Sequence, residues 1–128
     1  MLLYRLFLFL YPKMAKIISF FNEKALHWVE GQEMVWHDIQ NKRLQVVQPI
    51  IWVHTASYGE FEQGIPIIDA LKKQYPHHTI WVTFFSPSGY LHKKNDAHGD
   101  IKTYLPFDSE ENAHQFIELL QPKLIVFI

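Results

Sequence analysis

From Pro49 onward, apolar positions come in runs of strand length, separated by segments that repeat with a helical period. "IIWVHTAS" predicts a strand, "EFEQGIPIIDALKKQ" a helix, "TIWVTFFS" a second strand and "SGYLHKKN" a short helix. "KTYLPF" follows as a short strand, "SEENAHQFIELL" as a helix and "KLIVFI" as a last, buried strand. Strands apolar on both faces that alternate with helices predict an α/β fold, a parallel sheet with covering helices.

The helical segments show their inner faces. Phe61, Ile65, Ile68 and Leu71 recur at i, i+4, i+7 and i+10, with Glu62, Asp69 and Lys73 opposite. Pro66 lies inside that segment and predicts a kink near Glu62, whose carbonyl loses its donor. In the later helix Asp108 or Ser109 supplies the N-cap, Glu111 can close a capping box with Asp108, and Ala113, Phe116, Ile117 and Leu120 form the predicted buried stripe. Pro122 ends it.

The amino-terminal stretch "MLLYRLFLFLYPKMAKIISFF" (1–21) is the most apolar region, but Arg5, Pro12, Lys13 and Lys16 interrupt it. At about 100° per residue these fall on one side of a helix, with Leu3, Phe7, Leu10, Met14, Ile17 and Phe21 on the other. That division suits a helix lying in a membrane surface, where Arg5, Lys13 and Lys16 meet lipid phosphates. The alternatives are a helix packed on the body of the protein and a cleaved signal, the latter disfavoured because no small-residue cleavage site follows. Residues 22–48 predict helical pieces joined by a turn at Gly31 and a polar link to Pro49; residues 49–128 form the α/β domain.

Composition narrows the function. A net charge of −1 gives the chain no overall electrostatic footprint for nucleic acid. Without cysteine there is no disulfide, thiolate metal site or cysteine nucleophile, which suits a reducing compartment. Eight histidines include no H-E-x-x-H arrangement, and neither a metal nor a cofactor is expected. Gly59 and Gly64 have the spacing of a phosphate loop, but Ile65 and Pro66 stand where Lys and Ser/Thr belong.

Candidate chemistry sits at two strand ends, where open α/β sheets gather their ligands. In "HTASYGEFEQG", Ser57 and Gly59 precede Glu60, which falls in the first helical turn. The helix dipole favours an ionised carboxylate there, as a general base requires. The same string "SYGE" has the form of a capping box, so Glu60 can equally be a cap for its own helix. After the second strand, Ser86, Ser88 and Gly89 occupy the equivalent junction and predict either an anion-binding loop or an ordinary Ser-Pro-Ser-Gly turn.

"IWVHTASYGEFEQGIPIIDALKKQYP", with "TFFSPSGY", "YLPFD" and "PKLIVFI", resembles the amino-terminal half of the Kdo (3-deoxy-D-manno-octulosonic acid) transferases of lipid A biosynthesis. The H-x-x-S-x-G-E string is the specific part. The resemblance implies the Rossmann-like acceptor domain of a GT-B glycosyltransferase, on the cytoplasmic face of the inner membrane. It implies a lipid A precursor (lipid IVA) as acceptor, CMP-Kdo as donor through a second domain that follows in the family, and transfer with inversion. Glu60 then matches the catalytic base, and Ser57, Gly59, Ser86, Ser88 and Gly89 match supporting substrate-binding positions. The fragment alone is expected to be inactive, since the donor-binding domain is absent. Two rival readings are another GT-B sugar transferase and a membrane-associated α/β interaction domain without catalysis.

Overall fold

A computed structural model of the protein describes residues 2–128. Its elements run α1 (Leu2–Ser19), α2 (Glu23–Arg43), β1 (Ile50–Thr55), α3 (Tyr58–Gln74), β2 (Thr79–Phe84), α4 (Pro87–Lys93), β3 (Ile101–Tyr104), α5 (Glu110–Leu120) and β4 (Leu124–Phe127). The strands form one parallel sheet in the order β3-β2-β1-β4, with Trp52 beside Trp81 and Ile125. The chain therefore works outward from β1 in one direction and then returns to β1's other edge. The crevice between β1 and β4 is the topological switch point of the sheet.

Alternation along the strands builds a core on each face. Ile50, Trp52 and Trp81 pack with Val35 and Ile39 of α2 and with Phe116 and Leu120 of α5. On the reverse face Ile51, Val53, Ile80, Val82 and Phe84 pack with Phe61 and Ile68 of α3. The indole N–H groups of the two tryptophans in this sheet are paired across it: Trp52 Nε1 donates to Thr83 Oγ1 at 2.8 Å and Trp81 Nε1 to Thr103 Oγ1 at 3.0 Å. Such pairing offsets the cost of burying an indole N–H.

Three local expectations change. Gly31 makes no turn, and α2 runs through it unbroken. A Cβ there would lie 2.5 Å from Tyr104 Cε2, so the glycine is the seat for that ring. Pro66 lies inside α3, as its place in the sequence implies, on the exposed face of a helix that runs to Gln74. The N-cap of α5 is Ser109, whose Oγ accepts from Asn112 N at 3.2 Å; Asp108 closes no capping box with Glu111, because its carboxylate accepts from Tyr4 Oη of α1. The last strand is not buried: β4 pairs with β1 alone among the described residues, and Phe127 is 66% exposed.

Helix α1 leans on α2 through Ala15, which is buried with Trp28 and Val29, while Lys16 pairs with Glu33 at 3.2 Å. Tyr11 stacks on Phe107 at 5.8 Å between ring centroids and meets Trp28 edge-on at 5.2 Å. The predicted apolar stripe, Leu3, Phe7, Leu10, Met14, Ile17 and Phe21, is exposed throughout. No helix among the described residues is long and apolar enough to cross a membrane.

Candidate active site at the carboxyl end of β1

The chain leaves β1 at Thr55 and turns sharply into α3. Ser57 is the N-cap in extended conformation (φ −136°, ψ 171°), and its Oγ accepts from Glu60 N at 3.4 Å. Glu60 reaches back, so that Oε2 accepts from Ser57 N at 3.1 Å and also from Ala56 N. The capping box is therefore formed, and it aims the carboxylate at the end of β1. Among the described residues no hydrogen bond reaches Oε1 of Glu60, which leaves one carboxylate oxygen free to accept a proton. Cap and base are compatible roles for one side chain when the cap uses a single oxygen.

The second loop is tied to the first. Ser86 N donates to Ala56 O at 2.8 Å, joining the two strand ends by backbone. Ser86 makes no side-chain cap; its Oγ is 2.8 Å from Ser88 Oγ. Gly89 is buried, and a Cβ on it would stand 2.7 Å from Phe84 Cδ1 and 3.1 Å from both Ser57 C and Tyr58 N. Its part is to let α4 approach the Glu60 loop, a contact the sequence does not disclose. Gly59 differs: a Cβ there would meet nothing within 4 Å, and its φ is not positive, so it leaves open space beside the acid.

Two further side chains complete the surroundings. Lys93 of α4 lies over the Tyr58 ring at 4.9 Å and pairs with Glu62 and Asp96. The Glu62 carboxylate holds this ammonium well above the usual lysine range, so it is a fixed cation beside the first turns of α3. His54, one turn of strand before Ala56, bonds through Nδ1 to Thr83 Oγ1 at 2.9 Å and meets the Phe127 ring edge-on. Burial pushes its pKa down, against the opposing pull of the Glu60 charge. No local sequence pattern marks His54, because its partner Thr83 lies on the next strand.

A depressed histidine has a consequence for pH. The unfolded chain titrates this imidazole near its ordinary value of about 6.5, whereas the folded protein takes up the proton at lower pH. Between the two values the unfolded state binds more protons, so stability is full above about pH 6.5 and declines as pH falls toward the folded pKa. Urea midpoints measured from pH 7.5 to 5 are expected to drop, and His54→Gln to flatten that drop. An unchanged pH dependence in the variant overturns the assignment.

Beside this loop a cavity of about 580 Å³ opens between α1, α5 and the ends of β1 and β4. His54 and Ala56 belong to its wall, and Ala56 is the residue whose N–H holds Glu60. Ala113 and Ile117, predicted as part of the buried stripe of α5, are exposed because this cavity lies in front of them; only Phe116 and Leu120 of that stripe are buried. Arg5, Lys13 and Lys16 are exposed on α1 and take no part in the strand-end loops. Among the described residues no cluster of metal-binding side chains occurs.

A profile of the family described as 3-deoxy-D-manno-octulosonic-acid transferase (kdotransferase) matches residues 25–128. A 3-deoxy-D-manno-octulosonic acid transferase of Aquifex aeolicus is 40% identical over 80 residues, covering 61% of this chain and 22% of the relative. Those of Haemophilus influenzae and Chlamydophila psittaci are 38% and 30% identical, over 59% and 62% of this chain and 18% and 19% of their own lengths. The chain thus spans about a fifth of the length of these relatives. No solved structure gives a significant match. With the family profile covering both strand-end loops, the chain belongs to the Kdo transferase family and carries its amino-terminal domain.

Proposed function

We propose that this chain is the acceptor-binding part of an inverting GT-B glycosyltransferase that moves Kdo from CMP-Kdo to a lipid A precursor in lipopolysaccharide synthesis. The observation that carries the reading is Glu60, set at the switch point of the sheet with one oxygen in the cap and the other unbonded. In this reading Oε1 takes the proton of the acceptor hydroxyl as that oxygen attacks the anomeric carbon, and the nucleotide phosphate leaves from the opposite face. Ser57 and Gly59 shape the space beside the acid, and Ser86 and Ser88 offer hydroxyls on the neighbouring loop. Gly89 holds the two loops together. The donor is bound by a second domain, so the reaction belongs to the complete enzyme.

The exposed stripe of α1, with Arg5, Lys13 and Lys16 beside it, supports attachment to the cytoplasmic face of the inner membrane, where the acceptor lies. The deciding assay is transfer of labelled Kdo from CMP-Kdo to tetraacylated lipid A precursor by the full-length enzyme. Product from this pair is expected; activity confined to a different nucleotide sugar overturns the donor assignment.

A further inference from the structure

We propose that Lys93 is a positioning residue for the reaction: it clasps the face of α3 opposite Glu60 and so fixes the rotation of that helix and the direction of the carboxylate. The inference rests on the reading of Glu60 as the base.

A lysine in the last turn of a helix usually stands in solvent near the helix's own free carbonyls. Lys93 closes α4, yet its side chain is only 13% exposed, because it crosses to the first two turns of α3. There its ammonium pairs with Glu62 and lies over the rings of Tyr58 at 4.9 Å and Phe61 at 5.5 Å. With Gly59 carrying no side chain, these are the three side chains that flank Glu60 most closely along the chain. At about 100° per residue Tyr58, Phe61 and Glu62 share one face of the helix, and Glu60 stands on the opposite one. Rotation of α3 about its axis is the movement that would swing the carboxylate away from the end of β1. A clasp on the far face resists that movement.

The clasp is itself anchored to the sheet. Lys93 also pairs with Asp96 at 3.2 Å, whose Oδ1 accepts from His98 N at 2.9 Å and whose carbonyl accepts from Lys102 Nζ at 2.7 Å. Lys102 is buried in β3, and its ammonium also donates to Gly99 O at 3.1 Å. A chain of charge-assisted bonds therefore runs from β3 through Asp96 and Lys93 to the second turn of α3. Held by two carboxylates and little exposed, the ammonium is closed to a substrate phosphate, and it acts through α3. The Glu62 carboxylate holds it well above the usual lysine range, so the clasp stays charged around neutral pH.

The test uses the full-length enzyme with CMP-Kdo and tetraacylated lipid A precursor. Lys93→Met keeps an unbranched stem and removes the charge. It is expected to lower kcat about tenfold, within the roughly 10²-fold that misplacing a catalytic group by about 1 Å can cost, with KM for either substrate within about twofold of wild type. Lys93→Arg, whose guanidinium can meet both carboxylates, should recover most of the rate. Lys72→Met removes another cation of α3, paired with Asp100 at 2.8 Å near the helix's other end, and should leave kcat unchanged at a temperature where every variant is folded. The decisive arm is the Glu60→Gln background, which has no base left to aim: adding Lys93→Met there should lower the residual rate no further. A wild-type kcat in Lys93→Met, the same loss persisting in the Glu60→Gln background, or a loss shared by Lys72→Met overturns the inference. If Glu60→Gln is impaired while Lys93→Met is not, the base reading stands and the clasp falls. If Glu60→Gln transfers Kdo at the wild-type rate, the base reading itself falls and takes this inference with it.

Discussion

Glu60→Gln in the full-length enzyme is expected to lower kcat for Kdo transfer by about 10²- to 10⁴-fold, the usual contribution of a general base. The substitution separates two roles that the structure gives to one side chain. A glutamine amide oxygen can still accept from Ala56 N and Ser57 N, so the capping box survives and stability should change by less than about 1 kcal/mol. What is lost is the ability of the unbonded oxygen to take a proton. KM for the acceptor should move little, because the interaction removed is one made in the transition state.

Ser57→Ala gives the complementary result. It deletes the oxygen that accepts from Glu60 N and is expected to cost about 1 kcal/mol of stability. The carboxylate remains, so activity should fall far less than in Glu60→Gln. If Glu60→Gln transfers Kdo at the wild-type rate, the residue is a cap and nothing more, and the base must be sought elsewhere.

The contrast between these two residues shows what the sequence carries and what it does not. A strand apolar on both faces, then S-x-G-E, then a helical period is enough to place Glu60 at a strand end and in a helix's first turn. Which of its oxygens is engaged depends on the Ala56 backbone. The same division holds for the fold. β1 and β2 are legible because the layers on both sides bury nearly every residue of each strand, so both faces are mostly apolar.

β4 is as apolar in sequence, but its exposure follows from its pairing with β1 alone among the described residues, and "KLIVFI" carries no mark of that. Gly31 has the same origin: a glycine in a helical segment suggests a turn until Tyr104, far along the chain, is seen lying against it. Ala113 and Ile117 follow the core periodicity of α5, yet they face a cavity, since periodicity identifies an apolar face without saying what fills the space beyond it. His54 carries no local mark as a site residue, because the side chains it touches, Thr83 and Phe127, are supplied by other strands.

Gly89→Ala should cripple the enzyme without touching a reacting group. The new methyl would stand 2.7 Å from the Phe84 ring and 3.1 Å from the backbone of Ser57 and Tyr58. Phe84 is fully buried between Phe61 and Tyr90, so its ring has little room to retreat. The strain must then pass into the Ser57–Tyr58 segment, which carries the cap of α3 and aims Glu60. Overpacking of this kind costs about 1–3 kcal/mol, and displacing a catalytic group by about 1 Å can cost about 10²-fold in rate. Gly89→Ala is therefore expected to lower both the urea midpoint and kcat, whereas Gly59→Ala, with open space around it, should fold normally. Adding Phe84→Leu to Gly89→Ala relieves the ring contact and should recover part of the rate. A fully active Gly89→Ala enzyme would show that the Glu60 loop tolerates movement, and the positioning role given to α4 would be wrong.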